Sequence, residues 1–282
     1  HFSWSTEEKS FSNTTDNWIW PFQKIQNNYI KDNYAIDVPN QPIRKDGMKV
    51  RYASIPSDSS RQQNSASEDS IWFTLSNRNE FIAILADGAS QSAFGGIASN
   101  VLCSMLMRYT QAHPGRLVTA SIFSDICRVA VCQARVEVEK QFRVLDSLQA
   151  ENAMSRILRK RNAVGGSQAV FAIVQKQGNT IQCISAGNVR IVIPGHIELG
   201  SSLFSSDSAR FASLPELGLI GNIHINTYTL VSDAFSITIH SDALENYSAR
   251  LVTDGWLDLD TLMAAAQHDD TTYITIRYPA SQ

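Results

Sequence analysis

Long apolar runs are missing from this 282-residue chain. No stretch approaches the roughly 18 consecutive apolar residues that a bilayer-spanning helix needs, so no helical membrane span is expected. A dominant charge is missing as well: 24 Lys and Arg face 27 Asp and Glu, a net charge of −3. That balance gives no electrostatic reason for nucleic acid or an anionic membrane to be a partner. Cysteine is scarce, with Cys103, Cys127, Cys132 and Cys183 as the only four. They fall in apolar helix-like or strand-like segments without metal-ligand spacing, which predicts buried free thiols in a reducing, cytoplasmic compartment. There is no internal repeat and no second apolar core. The chain opens at His1 without an initiator Met, a start compatible with a processed end and a removed leader.

What is present is an ordinary globular composition, 43% hydrophobic and 18% charged, in a chain long enough to bury a sizeable core. Residues 1–48 read as an irregular arm, rich in Asn, Ser, Asp and Pro yet carrying Trp4, Trp18, Trp20 and Phe22. Either those aromatics pack on the domain or the arm docks a partner. Residues 49–282 read as one domain. Val50–Ile55, Ser70–Ser76 and Phe81–Asp87 are rich in β-branched and aromatic residues and read as strands, the first two joined by the polar loop SRQQNSASED. Gly95–Tyr109 and Leu117–Leu145 place apolar residues at helical spacing. The basic run Arg156–Arg161 reads as a mobile loop or a frayed helix with a solvated face. SQAVFAIVQKQ, TIQCISAGN and RIVIPG then predict a meander of hairpins. Two more strands, a helix over Leu259–Gln267 and a last strand ending near Tyr278 complete the chain. Strands, two long helices, then strands again argue α+β with largely antiparallel sheets. A four-layer α-β-β-α sandwich with two central sheets accommodates that order.

Acids stand at the ends of these strands. FIAILADG, from Phe81 to Gly88, runs an apolar strand pattern into Asp87. FSITIHSD delivers Asp242 after Ser241, HDDTT opens the last strand with Asp269 and Asp270, and Glu68-Asp69 precedes SIWFTLS. A lone Asp-Gly after a strand is most often a turn. Several strands ending this way would gather five or six carboxylates in one cleft if the two sheets bring the ends together. Like charges at that range force protonation or demand a cation. Oxygen-only ligands suit Mg²⁺ or Mn²⁺, and a pair of such ions about 3.5–4 Å apart can clamp a phosphoryl group.

Six of these stretches, in order from Val50 to Tyr278, resemble the metal-dependent serine/threonine phosphatases of the protein phosphatase 2C family. The matching stretches are Glu68-Asp69, Ile84-Leu85-Ala86-Asp87-Gly88, Gly166-Ser167-Gln168-Ala169-Val170, Gly187-Asn188-Val189-Arg190, Ser241-Asp242-Ala243 and Asp269-Asp270-Thr271-Thr272. The resemblance implies hydrolysis of phosphoserine and phosphothreonine in proteins by water activated between two Mg²⁺ or Mn²⁺ ions. It implies that Asp87 bridges both ions and that the Gly88 carbonyl binds one. Asp242 and Asp269 would hold the other, with Glu68 and Asp69 acting through water. Asp269 is preferred over Asp270 by motif register, and neighbours on a strand point to opposite faces.

The departures from that pattern are specific. Asn188 stands where the family usually has Asp, so a third ion is expected to bind poorly. Ala243 replaces a glycine. The family's phosphate-gripping arginine precedes Glu-Asp closely; the nearest candidate is Arg61, seven residues before Glu68. Arg190 is expected to be a structural salt-bridge partner and His240 a packed residue. These departures leave a second reading open, a pseudophosphatase using the same fold as a binding or scaffold module. A haloacid-dehalogenase-type phosphatase is disfavoured, because Asp87-Gly88-Ala89 lacks a second Asp two residues on.

Overall fold

Alternation within one strand sets the layering. In β4 (Phe81–Gly88), Phe81, Ala83 and Leu85 join one buried cluster while Ile82, Ile84 and Ala86 join another. Successive side chains point to opposite faces, so this strand is packed on both sides. The computed structural model describes residues 37–39, 41–62, 67–76, 80–89, 92, 94–146, 166–194, 197–199, 209–213 and 218–279, and it shows what covers each face.

The first cluster lies between two antiparallel sheets. Sheet I runs in the order β1 (Ile43–Lys45), β2 (Met48–Ile55), β13 (Thr271–Tyr278), β12 (Phe235–His240), β7 (Arg190–Ile193) and β8 (Ile197–Leu199). Sheet II places β3 (Ser70–Leu75) beside β4 and β4 beside β5 (Gln168–Gln177). The far edge of β5 is shared by β9 (Arg210–Ala212) and β6 (Thr180–Ala186), which continue to β10 (Leu219–Ile220) and β11 (His224–Thr229). Val50, Ile237, Ile239, Ile274 and Ile276 of sheet I meet Phe73, Leu85, Val170 and Val174 of sheet II.

Helices close the two outer faces. In α2 (Gly95–Ala112), Ala98, Val101, Leu102, Met105, Leu106 and Tyr109 form the stripe that a 3.6-residue period requires, and it buries against Ile82, Ile84 and Phe171. α3 (Ala120–Asp146) adds Phe123, Ile126, Cys127 and Ala130 to the same cluster. On sheet I, Ala53, Ile55 and Tyr273 pack under Leu251 of α4 (Ser248–Asp254), Leu262 of α5 (Leu259–Ala265), and Leu244 of the 3-10 turn Asp242–Tyr247. The architecture is the expected α-β-β-α sandwich. Among the described residues no helix is long and apolar enough to cross a membrane.

Four expectations need correction. The meander is broken: β5 and β6 form a hairpin, but β7 crosses to sheet I and pairs with β12. The crossing occurs at Gly187, whose φ of 83° is left-handed and whose added Cβ would sit 2.2 Å from Val170 Cγ1. Strand alternation says nothing about which of two sheets receives a strand. The polar loop after β2 carries a short helix, α1 (Asp58–Gln62). Sheet I begins before residue 49, since Ile43 pairs with Val50 and Asp37 exchanges two backbone hydrogen bonds of 2.9 Å with Ser54. Cys132 is exposed on α3, whereas Cys103, Cys127 and Cys183 are buried free thiols. The aromatic arm up to residue 36 and the run Arg156–Arg161 lie outside the described residues.

Candidate metal centre

The strand ends meet where the sequence places its acids. Ser70 pairs with Ala86, so Glu68-Asp69 runs into β3 alongside the exit of β4, and the Gly88 N–H donates to the Glu68 carbonyl at 3.1 Å. His240 pairs with Tyr273, and beyond that pair the Ser241 N–H donates to the Thr272 carbonyl at 2.9 Å. Asp242 at the exit of β12 therefore lies beside Asp269-Asp270 at the entry of β13. Gly88 is required by contact: a Cβ there would stand 2.6 Å from the Glu68 carbonyl oxygen and 2.6 Å from the Gly95 carbonyl carbon. The start of α2 packs directly on this junction, and the Ser99 hydroxyl donates to the Glu68 carbonyl at 2.5 Å.

Burial and mutual repulsion shape the acids' electrostatics. Desolvation, then the neighbouring Asp242 and Asp269, raise Asp87 well above the usual carboxylate range. Desolvation followed by Asp87, Asp270 and Asp269 does the same to Asp69. A hydrogen bond between Asp69 and Asp87, and another from Thr272 to Asp69, offset part of this. Glu68 is pushed up to about 7 by burial and then by Asp270 and Asp269. Asp269 rises to about 6 through burial and Asp242. Asp242 is raised mainly by burial, partly offset by the Ala243 N–H. Glu68, Asp69, Asp87 and Asp269 are thus each raised by neighbouring carboxylates of the cluster, while the acid that raises Asp242 is Glu245.

Asp270 has a different part. Its Oδ1 accepts from the Ser57 N–H at 2.6 Å, and its Oδ2 accepts from the Glu68 N–H at 2.5 Å and the Ser67 hydroxyl at 3.0 Å. Those bonds tie the entry of β3 to the entry of β13, while Asp269 faces Asp242 and Asp87 electrostatically. Sequence reasoning missed this anchor; the only signal was Ser67 standing before Glu68. It named Ser241 without a role; the Ser241 hydroxyl accepts from the Thr272 N–H at 3.1 Å. His240 is a buried packing residue, bonded to Ser241 O at 2.8 Å and Ser248 Oγ at 3.0 Å. Arg190 pairs with Glu245 at 2.6 Å, the structural role expected of it.

Two residues test the departures from the family pattern. The Asn188 amide donates to Asp242 Oδ2 at 2.6 Å, and its Oδ1 is buried without a hydrogen-bond partner. The Arg61 guanidinium forms an ion pair with Asp58 and donates to the Pro56 carbonyl at 2.9 Å and Met263 sulfur at 3.5 Å. Its contacts are local to α1 and α5, not with the acids.

The donor set fits hard divalent cations. Every side chain in the cluster offers oxygen, and the Asn188 Oδ1 is a buried oxygen in need of a partner. Among the described residues no three His, Cys, Asp or Glu side chains are grouped closely enough to hold an ion directly. A separate cavity of about 190 Å³, lined by Trp72, Phe81, His113 and Lys176, lies at the opposite end of sheet II and shares no residue with the cluster.

Comparison with solved structures places the fold. No family model matches the sequence, and no curated protein matches it. The structure of RsbX in complex with magnesium covers 86% of this chain and 100% of its own, at 15% identity and a TM-score of 0.50. The catalytic domain of the serine/threonine protein phosphatase PstP with two manganese ions covers 82% of this chain and 97% of its own, at 12% identity and a TM-score of 0.52. A bacterial serine phosphatase covers 83% and 99%, at 12% identity and a TM-score of 0.51. The chain has the fold of the PPM-type serine/threonine phosphatases.

Proposed function

We propose that this chain is a metal-dependent protein serine/threonine phosphatase. The observation that carries the reading is the convergence of Glu68, Asp69, Asp87, Asp242 and Asp269 from four strand ends at one edge of the sandwich. Their mutual repulsion is costly, and no fold needs five such acids together for packing. Two Mg²⁺ or Mn²⁺ ions, when bound, would neutralise the cluster and supply the positive charge that polarises water and phosphoryl oxygens. Asp87 with the Gly88 carbonyl would hold one side of the centre, Asp242 and Asp269 the other, and Glu68 and Asp69 would orient bound water. The magnesium and manganese named for RsbX and PstP support that choice of ions. A third ion is disfavoured, because Asn188 brings no charge and already donates to Asp242. The substrate class is phosphoserine or phosphothreonine in a protein.

The Asn188–Asp242 bond and the local pairing of Arg61 also favour a second reading, a slow or inactive enzyme that acts as a binding module. Hydrolysis of p-nitrophenyl phosphate and a phosphothreonine peptide with Mn²⁺, with Mg²⁺ and with EDTA separates the two. The phosphatase reading requires turnover that disappears in EDTA and falls at least about 100-fold in Asp87→Asn. A folded protein with no turnover, and no Mn²⁺ binding by calorimetry, leaves only the binding module.

A further inference from the structure

The outer face of sheet I carries a second charged cluster, of the opposite sign. Val50 and Tyr52 point into the core between the sheets, so Lys49 and Arg51 on the same strand face outward. Ile274 and Ile276 likewise leave Arg277 outward. Lys49 is directly opposite Arg277 on one side and Arg44 on the other. Three cations therefore stand in one row across neighbouring strands, about 5 Å apart, with Arg51 about 7 Å along β2. Like charges directly opposite on a sheet are destabilising. Among the described residues Arg44, Lys49 and Arg51 form no ion pair. The Arg44, Arg51 and Arg277 charges, after burial, lower the pKa of Lys49, and Asp254 is the acid that acts on Arg277.

The cluster also has unused donors. The Nε of Arg51 and of Arg277 and the Ser236 hydroxyl are buried with no hydrogen-bond partner, and Ser236 is the β12 residue paired with Arg277. One Arg277 Nη is already spent on the end of α4, donating to Val252 O at 2.6 Å and Thr253 O at 2.9 Å. Gly255 makes room for that guanidinium, since a Cβ there would lie 2.7 Å from Arg277 Cζ. Arg51 lies over the half-exposed Trp256 ring at 5.2 Å, a cation–π contact that orients it.

We propose that Lys49, Arg51 and Arg277, with the Ser236 hydroxyl, form an oxyanion-binding site for a phosphate group on the outer face of sheet I. The Lys49–Arg277 pair stands six residue pairs along the β2–β13 ladder from Thr271, which follows the acids, roughly 20 Å, and on the opposite face of the sheet from the core between the sheets. It does not depend on the phosphatase reading. Guanidinium forks match tetrahedral oxyanions, and a bound dianion would relieve the repulsion in the row.

The experiment is a phosphate titration of the full chain in EDTA, read by the fluorescence of Trp256 and assigned with Trp256→Phe. The expected result is a saturable change with half-saturation below about 1 mM, weakened at least about tenfold in the double variant Lys49→Gln/Arg51→Gln. Parallel titrations use a phosphothreonine peptide and its unphosphorylated counterpart. Tighter binding of the phosphopeptide than of inorganic phosphate identifies a polypeptide as the source; equal binding identifies the free ion. Equal binding of the unphosphorylated peptide overturns the proposal. Thermal unfolding supplies an independent readout: phosphate should raise the melting temperature of the parent chain and not of the double variant. Without phosphate, Lys49→Gln alone should melt no lower than the parent, because a repulsive neighbour is gone. No phosphate-induced rise, or the same rise in the double variant, overturns the proposal.

Discussion

The Asn188 side-chain amide donates to Asp242 Oδ2 at 2.6 Å, linking the β6–β7 crossover to the exit of β12. A neutral donor thus stabilises an acid at a point where another carboxylate would add repulsion. Asn188→Ala should raise the Asp242 pKa further and cost about 1–3 kcal/mol of stability, because a charge-assisted hydrogen bond is lost. Asn188→Asp should destabilise the metal-free protein more, and gain more melting temperature from Mn²⁺ than the parent does. Calorimetric melts with EDTA and with Mn²⁺ check both; equal gains in parent and Asn188→Asp would show that this position does not sense the ions.

The acid cluster sets a pH dependence with a definite sign. Folded Glu68 titrates near 7 and Asp269 near 6, against ordinary values of 4.5 and 3.8. Between those limits the folded chain binds more protons than the unfolded one, so stability falls as pH rises from about 4 to about 7. Asp69 and Asp87, raised by burial, act in the same direction. Urea unfolding in EDTA should show this decline, and Mn²⁺ should flatten it by favouring the ionised forms. A metal-free protein whose stability rises over that range would contradict the clustering.

Asp270 is expected to behave as a structural anchor. Its carboxylate accepts from the Ser57 and Glu68 N–H groups and the Ser67 hydroxyl. Asp270→Ala leaves two main-chain donors without their acceptor and should cost about 3–5 kcal/mol. Asp269→Ala removes repulsion from the cluster together with one acceptor, for the Asp270 N–H at 2.9 Å, and should cost the metal-free protein less than Asp270→Ala does, while weakening Mn²⁺ binding. Urea melts and Mn²⁺ titration of the two variants, compared side by side, distinguish anchor from ligand.

Thiol accessibility tests the packing around α3. Cys132 is exposed, while burial pushes the Cys183 thiol up to about 12 and raises Cys103 and Cys127 as well. Only thiolates react readily with disulfide reagents. Ellman's reagent should therefore count one thiol in the native chain and four after unfolding. Rapid native titration of two or more would mean that the helix layer is looser than described.

Much of the candidate site was legible in the chain because it is built from strand ends. Phe81–Leu85 is apolar on both faces, so it had to lie between layers, and the first polar residue after it, Asp87, had to fall at the layer's edge. The same logic applies to Asp242 after β12 and Asp269 before β13. Local periodicity carries that information because burial acts on each strand face separately.

What only the tertiary structure decided is pairing. β7 passes to sheet I instead of extending the meander, and this crossing is what brings Asn188 to Asp242. Asp269 and Asp270 are adjacent and chemically identical, yet one is committed to main-chain donors of another segment more than 200 positions away. Arg61 is spent on Asp58 and α5, which spacing along the chain could not reveal. The cationic row on sheet I likewise exists only because β1, β2 and β13 pair in one register. Side-chain period is local and can be read from the sequence; partner and register are set by long-range packing, where a two-state choice between sheets leaves no local trace.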